Sequence, residues 1–207
     1  MSEDTILVRR PFRHAHMDDR EVFKKLYDDL HKSPVYDTSR WQYEWMRQFD
    51  PSPGSSILDL GCSSGRNVFY YAERGHLCHG VEVSEEALAQ FREGWEGASE
   101  KAQHLSLAEQ GFIEDYHPQP RWDYVLLTEV LEHVVDPVPV LKVAERALKP
   151  SGEVYVTAPV YTTAGDVQHV RGVQIGPLKH WCEQAGLEVK WYEEFTARIY
   201  AKLVKSV

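Results

Sequence analysis

Gly61-Cys62-Ser63-Ser64-Gly65 sets a serine inside a G-x-S-x-G run, the spacing of a hydrolase nucleophile elbow. Asp136 and His169 follow in the order that a Ser–Asp–His triad takes on such folds. The same loop admits a second chemistry, because a tight glycine turn that opens a helix points backbone N–H groups at an anion. A dinucleotide loop would read G-x-G-x-x-G; here the second glycine is displaced and Asp59 stands two residues before Gly61. Glu82 follows some twenty residues beyond the loop, where an acidic side chain accepts hydrogen bonds from both ribose hydroxyls. Further on, Glu129, Glu132 and His133 spell E-x-x-E-H, and His169 comes later. Histidines that titrate near neutrality can take a phenol or hydroxyl proton. Mixed carboxylate and imidazole donors also suit Mg²⁺, Mn²⁺ or Zn²⁺.

These groups must be held by elements that the pattern predicts. Ile57, Leu58 and Leu60 form a short buried-strand run, and Val68, Phe69, Tyr70 and Ala72 resume at helical spacing until Gly75. The nucleophile elbow normally follows several strands and an oxyanion loop, neither of which precedes this one, so the hydrolase is the remote reading. Upstream, Asp18–His31 reads as an amphipathic helix. Ser33-Pro34 breaks it, and Thr38 or Ser39 opens a second helix, rich in aromatics, through Phe49. Pro51-Ser52-Pro53-Gly54 marks the entry to the main domain. Leu77–Val83 reads as the second strand, Ser84 as the cap of a helix to about Glu93, and Gln103–Leu107 as a weak third strand. Trp122–Thr128 is the fourth strand, and Asp136 caps a helix with Pro137 in its first turn, running through Leu148. Lys149-Pro150-Ser151-Gly152 is expected as a turn before a fifth strand, Glu153–Pro159. A helix over Gln174–Ala185 and a hairpin of Val189–Glu193 with Thr196–Val204 complete the chain. This order predicts an α/β domain with a mostly parallel sheet and one antiparallel strand.

The run D-L-G-C-S-S-G-R-N at 59–67 resembles motif I of the class I S-adenosylmethionine (SAM) methyltransferases, h-h-D-x-G-x-x-x-G. It is close to the form D-L-G-C-G-x-G-R-N of several small-molecule members, departing at Ser63, where that family usually has glycine. T-E-V-L-E-H-V-V-D-P at 128–137 is a second match, and the segment through Pro159 is an altered L-K-P-G-G-x-h-h-h-x-x-P. The resemblance runs from Ser55 to the C-terminus and implies a Rossmann-like seven-stranded sheet of order 3-2-1-4-5-7-6. It implies a helical cap over residues 1–50 and a SAM-binding domain over 51–207.

Site roles follow from the same resemblance. Gly61, Cys62, Ser63 and Gly65, flanked by Asp59 and Asn67, would receive the methionine end of SAM; Glu82 and Val83 would receive its ribose. Ser106, Leu107 and Ala108 would wall the adenine, with Thr128 and Glu129 near the sulfonium. Arg40 lies about as far before motif I as an arginine that clasps the SAM carboxylate in ubiquinone O-methyltransferases. Tyr27, Tyr36 and Trp41 would shape the acceptor site, and His133 and His169 are the candidate bases. Glu129, Glu132, His133 and His169 also resemble the divalent-metal set of small-RNA 2′-O-methyltransferases. The second histidine of that family's H-x-D-H pattern is missing, so the expectation is a site without a resident metal.

Composition bounds the partners. The 207 residues are enough for one α/β domain and a small cap. No apolar run approaches the roughly 20 residues of a membrane span, and Met1–Arg13 has no apolar signal core. Three cysteines without a C-x-x-C pair suit a reducing cytosol, and a net charge of −9 weighs against binding nucleic acid broadly through phosphates. The expected function is SAM-dependent methyl transfer to an oxygen or nitrogen of a small molecule. RNA or protein methylation, a methyltransferase-like module without turnover, and the Ser63 hydrolase are the alternatives. Nothing in the residues specifies the acceptor or the oligomeric state.

Overall fold

The computed structural model describes residues 20–32, 46, 49–118, 122–162 and 168–206. The first helix, α1, spans Arg20–His31. The expected aromatic helix from Thr38 lies outside the described residues except for Met46 and Phe49, and with it Tyr36, Arg40 and Trp41. Seven strands follow: β1 (Ser56–Leu60), β2 (Leu77–Glu82), β3 (Ser106–Gln110), β4 (Trp122–Thr128), β5 (Leu148–Pro159), β6 (Leu187–Phe195) and β7 (Arg198–Lys205). Between them lie α2 (Arg66–Ala72), α3 (Glu85–Glu96), α4 (Glu100–Leu105), a 3-10 turn at Ile113–Asp115, α5 (Pro137–Ala147) and α6 (Ile175–Ala185).

The sheet runs β3-β2-β1-β4-β5-β7-β6, as expected. All neighbours are parallel except those of β7, which is antiparallel to both β5 and β6. The alternation of β1, β4 and β5 explains why both faces are covered. Leu58, Leu60, Val125, Leu127, Val154 and Val156 join one apolar cluster with α5 and α6, while Ile57, Leu126 and Tyr155 face the other with Phe49 and Tyr71. Burying each of these aliphatic side chains contributes about 1.5–3 kcal/mol, which holds the strand ends rigidly enough to carry a site.

Local signals set the joints. Gly65 enters α2 in the left-handed conformation, and a Cβ there would meet the Phe91 ring at 2.1 Å. Ser84 and Asp136 cap α3 and α5 through the Ala87 and Val138 amides, with Pro137 in the first turn of α5. Two expectations shift, and one segment left unassigned takes shape. Ser99 caps an unforeseen short helix, α4, which pushes the third strand from Gln103–Leu107 to Ser106–Gln110. Residues 149–152 extend β5 instead of forming a turn, because Leu148 pairs with Trp122 across an irregularity in the ladder. The segment after Glu129 is a turn, with the His133 amide donating to the Val130 carbonyl at 3.0 Å, so its groups converge without a helix to space them.

Candidate active site

The C-terminal ends of β1, β2 and β4 open onto one cavity of about 350 Å³, the place where doubly wound sheets hold ligands. Its floor is the loop after β1. Gly61 turns there with φ 82° and Ser63 with φ 51°, a left-handed conformation that normally selects glycine. The backbone N–H groups of Gly61 and Cys62 donate to the Val81 carbonyl, that of Gly65 to the Cys62 carbonyl, and that of Ser63 to Glu82 Oε2 at 2.9 Å. The expected cradle of amides aimed at a carboxylate is therefore largely spent inside the fold. What the loop offers the cavity is a close backbone wall, with the Asn67 amide beside it donating to Thr128 Oγ1 at 3.3 Å.

Glu82 ends β2 and lines the cavity. Its Oε1 accepts from the Ser84 amide at 2.8 Å, and its two oxygens keep lone pairs for a diol. Burial pushes its pKa up, opposed by these backbone hydrogen bonds. Beneath the loop, Asp59 is wholly buried; desolvation raises its pKa to about 7, against the Asn67 side chain that favours the charged form.

The other end of the cavity is built from β4, β7 and the loop before α6. Glu129 stands at φ 56°, strained for a residue with a side chain, and its amide donates to the Thr157 carbonyl at 2.8 Å. Its carboxylate accepts from Thr157 Oγ1 at 3.1 Å and from Arg198 Nη2 at 3.2 Å. Thr196 and Ala197, both left-handed, make the tight β6–β7 turn that delivers Arg198 to this spot. Glu132 is fully buried, and neither carboxylate oxygen has a well-formed hydrogen-bond partner. Desolvation, then the neighbouring Glu129 charge, drive its pKa well above the carboxylate range. His133 Nδ1 donates to the Gln168 carbonyl at 3.1 Å, which leaves Nε2 as the basic nitrogen. That Nε2 is 3.8 Å from Glu132 Oε1. The His169 ring lies edge-on to His133 at 4.7 Å, and the Tyr27 ring of α1 does so from another side at 5.5 Å.

Most sequence-chosen residues meet here: Tyr27, Gly61, Cys62, Ser63, Asn67, Glu82, Val83, Thr128, Glu129, Glu132, His133 and His169 all line the cavity. Asp59 and Gly65 lie behind its wall as supports. Ser106, Leu107 and Ala108 do not reach it, which corrects the expected adenine wall. The later start of β3 pairs them with Cys78, His79 and Gly80, low on β2, with Leu107 60 % exposed. Gly111, Phe112, Ile113 and Glu114 line the corresponding wall instead. The remote triad is not assembled either: Asp136 is spent on capping α5, and the ring facing Ser63 Oγ is His31 Nε2 at 3.5 Å. The four-residue metal set contracts to three, since the donor atoms of Glu132, His133 and His169 lie within 4.8 Å of one another while Arg198 and Thr157 hold Glu129. Phe23, His31 and Arg198 were not foreseen. Only α1's i, i+4, i+8 spacing of Phe23, Tyr27 and His31 carried a signal for the first two.

With this geometry in place, the chain is matched by relatives of known activity. A ubiquinone biosynthesis O-methyltransferase of Pseudomonas aeruginosa is 26% identical over 76% of this chain and 75% of its own length. Another of that name from Thiobacillus denitrificans is 27% identical over 83% and 80%. Among solved structures, the 1,6-didemethyltoxoflavin-N1-methyltransferase of Burkholderia thailandensis, with bound 1,6-didemethyltoxoflavin and S-adenosylhomocysteine, superposes with a TM-score of 0.71. It is 15% identical and covers 96% of this chain and 91% of its own. The family described as "Methyltransferase domain" matches residues 51–197, and the chain belongs to it as a class I SAM-dependent methyltransferase.

Proposed function

We propose that this enzyme methylates an oxygen or nitrogen of a small-molecule acceptor, with SAM lying along the β1–β2–β4 strand ends. The observation that carries the reading is Glu82, fixed by two backbone amides at the end of β2 and open to the cavity beside the motif I loop. Ribose hydroxyls would donate to its free lone pairs, the adenine would lie between Val83 and the Phe112–Ile113 edge, and the methionine end would pass Ser63, Asn67 and Thr128. The sulfonium is then directed toward Glu129 and the histidines. The named relatives act, by their descriptions, at oxygen in ubiquinone biosynthesis and at N1 of 1,6-didemethyltoxoflavin. The modest cavity supports an acceptor of similar scale. The acidic chain and its three free, buried cysteines support a reduced compartment, the cytosol, and no nucleic-acid partner. Among the described residues no helix is long and apolar enough to cross a membrane.

Methyl transfer is an in-line displacement: the acceptor's lone pair forms the new bond to carbon as the carbon–sulfur pair returns to sulfur. Much of the rate comes from holding the two partners in line. For a hydroxyl acceptor, His133 Nε2, 3.8 Å from the Glu132 carboxyl, takes the proton. A second reading of the same end has a divalent cation on Glu132, His133 and His169, where the buried and poorly partnered Glu132 oxygens fit a cation. The cation would acidify the acceptor hydroxyl. Calorimetric titration with S-adenosylhomocysteine, with NADH as control, tests the cofactor assignment: one-site binding of the former alone is expected. Absence of binding to the folded protein overturns it. Turnover that survives exhaustive chelation removes the cation reading and leaves His133 as the base.

A further inference from the structure

Helix α1 is attached to the domain differently from the other long helices. Of its twelve residues only His31 is buried, whereas α5 buries six of its eleven. An element with so little apolar anchorage opens at small free-energy cost. Polar contacts hold it instead: Arg20 pairs with Asp115 at one end, Gln90 Nε2 donates to the His31 carbonyl at 2.9 Å at the other, and a ring of hydrogen bonds closes between them. Asp28 Oδ1 accepts from Ser84 Oγ at 2.7 Å and from the Glu86 amide at 3.3 Å, at the N-terminus of α3. The Ser84 amide donates to Glu82 Oε1, and Glu82 Oε2 accepts from the Ser63 amide. Ser63 Oγ then meets His31 Nε2 at 3.5 Å, which returns the path to α1 one turn beyond Asp28.

We infer that this ring makes α1 a latched gate over the cofactor end of the cavity, with Asp28 as the latch that sets how long the cofactor product stays bound. The inference rests on the SAM reading of that end. Phe23, Tyr27 and His31 line the cavity from above, so a ligand leaves when α1 lifts. Ribose hydroxyls on Glu82 would engage the same carboxylate that Ser63 and Ser84 hold, which ties the seating of α1 to occupancy of the site. The serine at position 63 makes sense in this light: glycine would relieve the φ of 51° but would remove the hydroxyl that faces His31. Lys24 bridges Asp28 Oδ2 at 3.1 Å and Glu85 at 3.4 Å, orienting the latch. Asp28 itself does not line the cavity, so replacing it leaves every ligand-facing group in place.

The test is the dissociation rate of S-adenosylhomocysteine from the full chain, with hydrogen exchange read in parallel. Asp28→Ala is expected to speed dissociation at least about 10-fold, from the loss of two hydrogen bonds to a charged group. Asp28→Asn, which still accepts from Ser84 and Glu86, is expected to stay within about threefold of wild type. Protection of residues 20–31 should rise on loading the wild type and fail to rise in Asp28→Ala, while residues 77–82 stay protected in both. An unchanged dissociation rate in Asp28→Ala overturns the gate while leaving the cofactor reading intact. So does loss of protection at 77–82, which would make Asp28 a residue of the fold. A wild type that binds no S-adenosylhomocysteine overturns the cofactor reading, and the gate with it.

Discussion

Asp59 shows how a single buried carboxyl writes itself into the behaviour of the site. It sits at 1% exposure under the motif I loop, and desolvation lifts its pKa from 3.8 to about 7. A folded-state value above the unfolded one means that the native chain keeps a proton the unfolded chain has released. The contribution of Asp59 to stability should then be greatest below about pH 4, fall as pH rises toward 7, and level off above it. The full span is on the order of 4 kcal/mol as an upper bound. Denaturant unfolding of wild type and Asp59→Asn between these pH values checks this, with a flatter profile expected for the variant. Glu82 titrates in the same direction, but its replacement reads out differently. Glu82→Ala removes the acceptor proposed for the ribose diol, and S-adenosylhomocysteine affinity should drop at least about 100-fold while the melting temperature changes little. Wild-type affinity in that variant would refute the ribose assignment. These two acids were legible in the sequence, because a carboxyl at a fixed distance from a glycine loop has few other reasons to be there. Arg198 was not legible, because its place depends on two non-glycine residues adopting the left-handed turn.

Elements decide which legible residues reach the cavity. The strand order follows from the alternation of apolar runs and helices, which leaves few topologies open once crossovers are right-handed. Register is weaker information. The third strand slid by three residues because Ser99 nucleated α4, and that slide carried Ser106, Leu107 and Ala108 away from the ligand side. The run E-x-x-E-H pointed to converging groups, and a turn brings them together. Two joints give separable predictions. Gly65→Ala forces a side chain into φ 81° and against Phe91, so it should cost about 2–4 kcal/mol in unfolding free energy and abolish cofactor binding. Asp136→Ala removes only the cap of α5, at a residue that does not itself line the cavity. It should cost about 1 kcal/mol and leave S-adenosylhomocysteine affinity unchanged. A large affinity loss in Asp136→Ala would mean that α5 positions the turn carrying His133 more directly than its cap implies.

At the scale of the whole molecule, charge and topology act together. The chain carries a net charge of −9, and the parallel strands converge on a cavity lined by Glu82, Glu114 and Glu129, beside a Glu132 that burial holds toward its neutral form, with Arg198 paired to Glu129. Low-dielectric walls focus such a field into the opening, which favours a cation on approach. SAM carries a net positive charge through its sulfonium, whereas S-adenosylhomocysteine is neutral overall. Substrate and product should therefore differ in their response to salt. Raising ionic strength from roughly 0.02 to 0.5 M should slow SAM association about threefold or more, as the Debye length shrinks from about 20 Å to about 4 Å. The product's association rate should hold nearly constant. Stopped-flow association with both ligands measures the contrast, and Glu129→Gln should reduce it, since that carboxylate stands nearest the path proposed for the sulfonium. Equal salt responses for the two ligands would mean that the buried acids hold their protons during encounter. The steering charge would then lie on the outer surface, and the site would distinguish substrate from product only after α1 has closed.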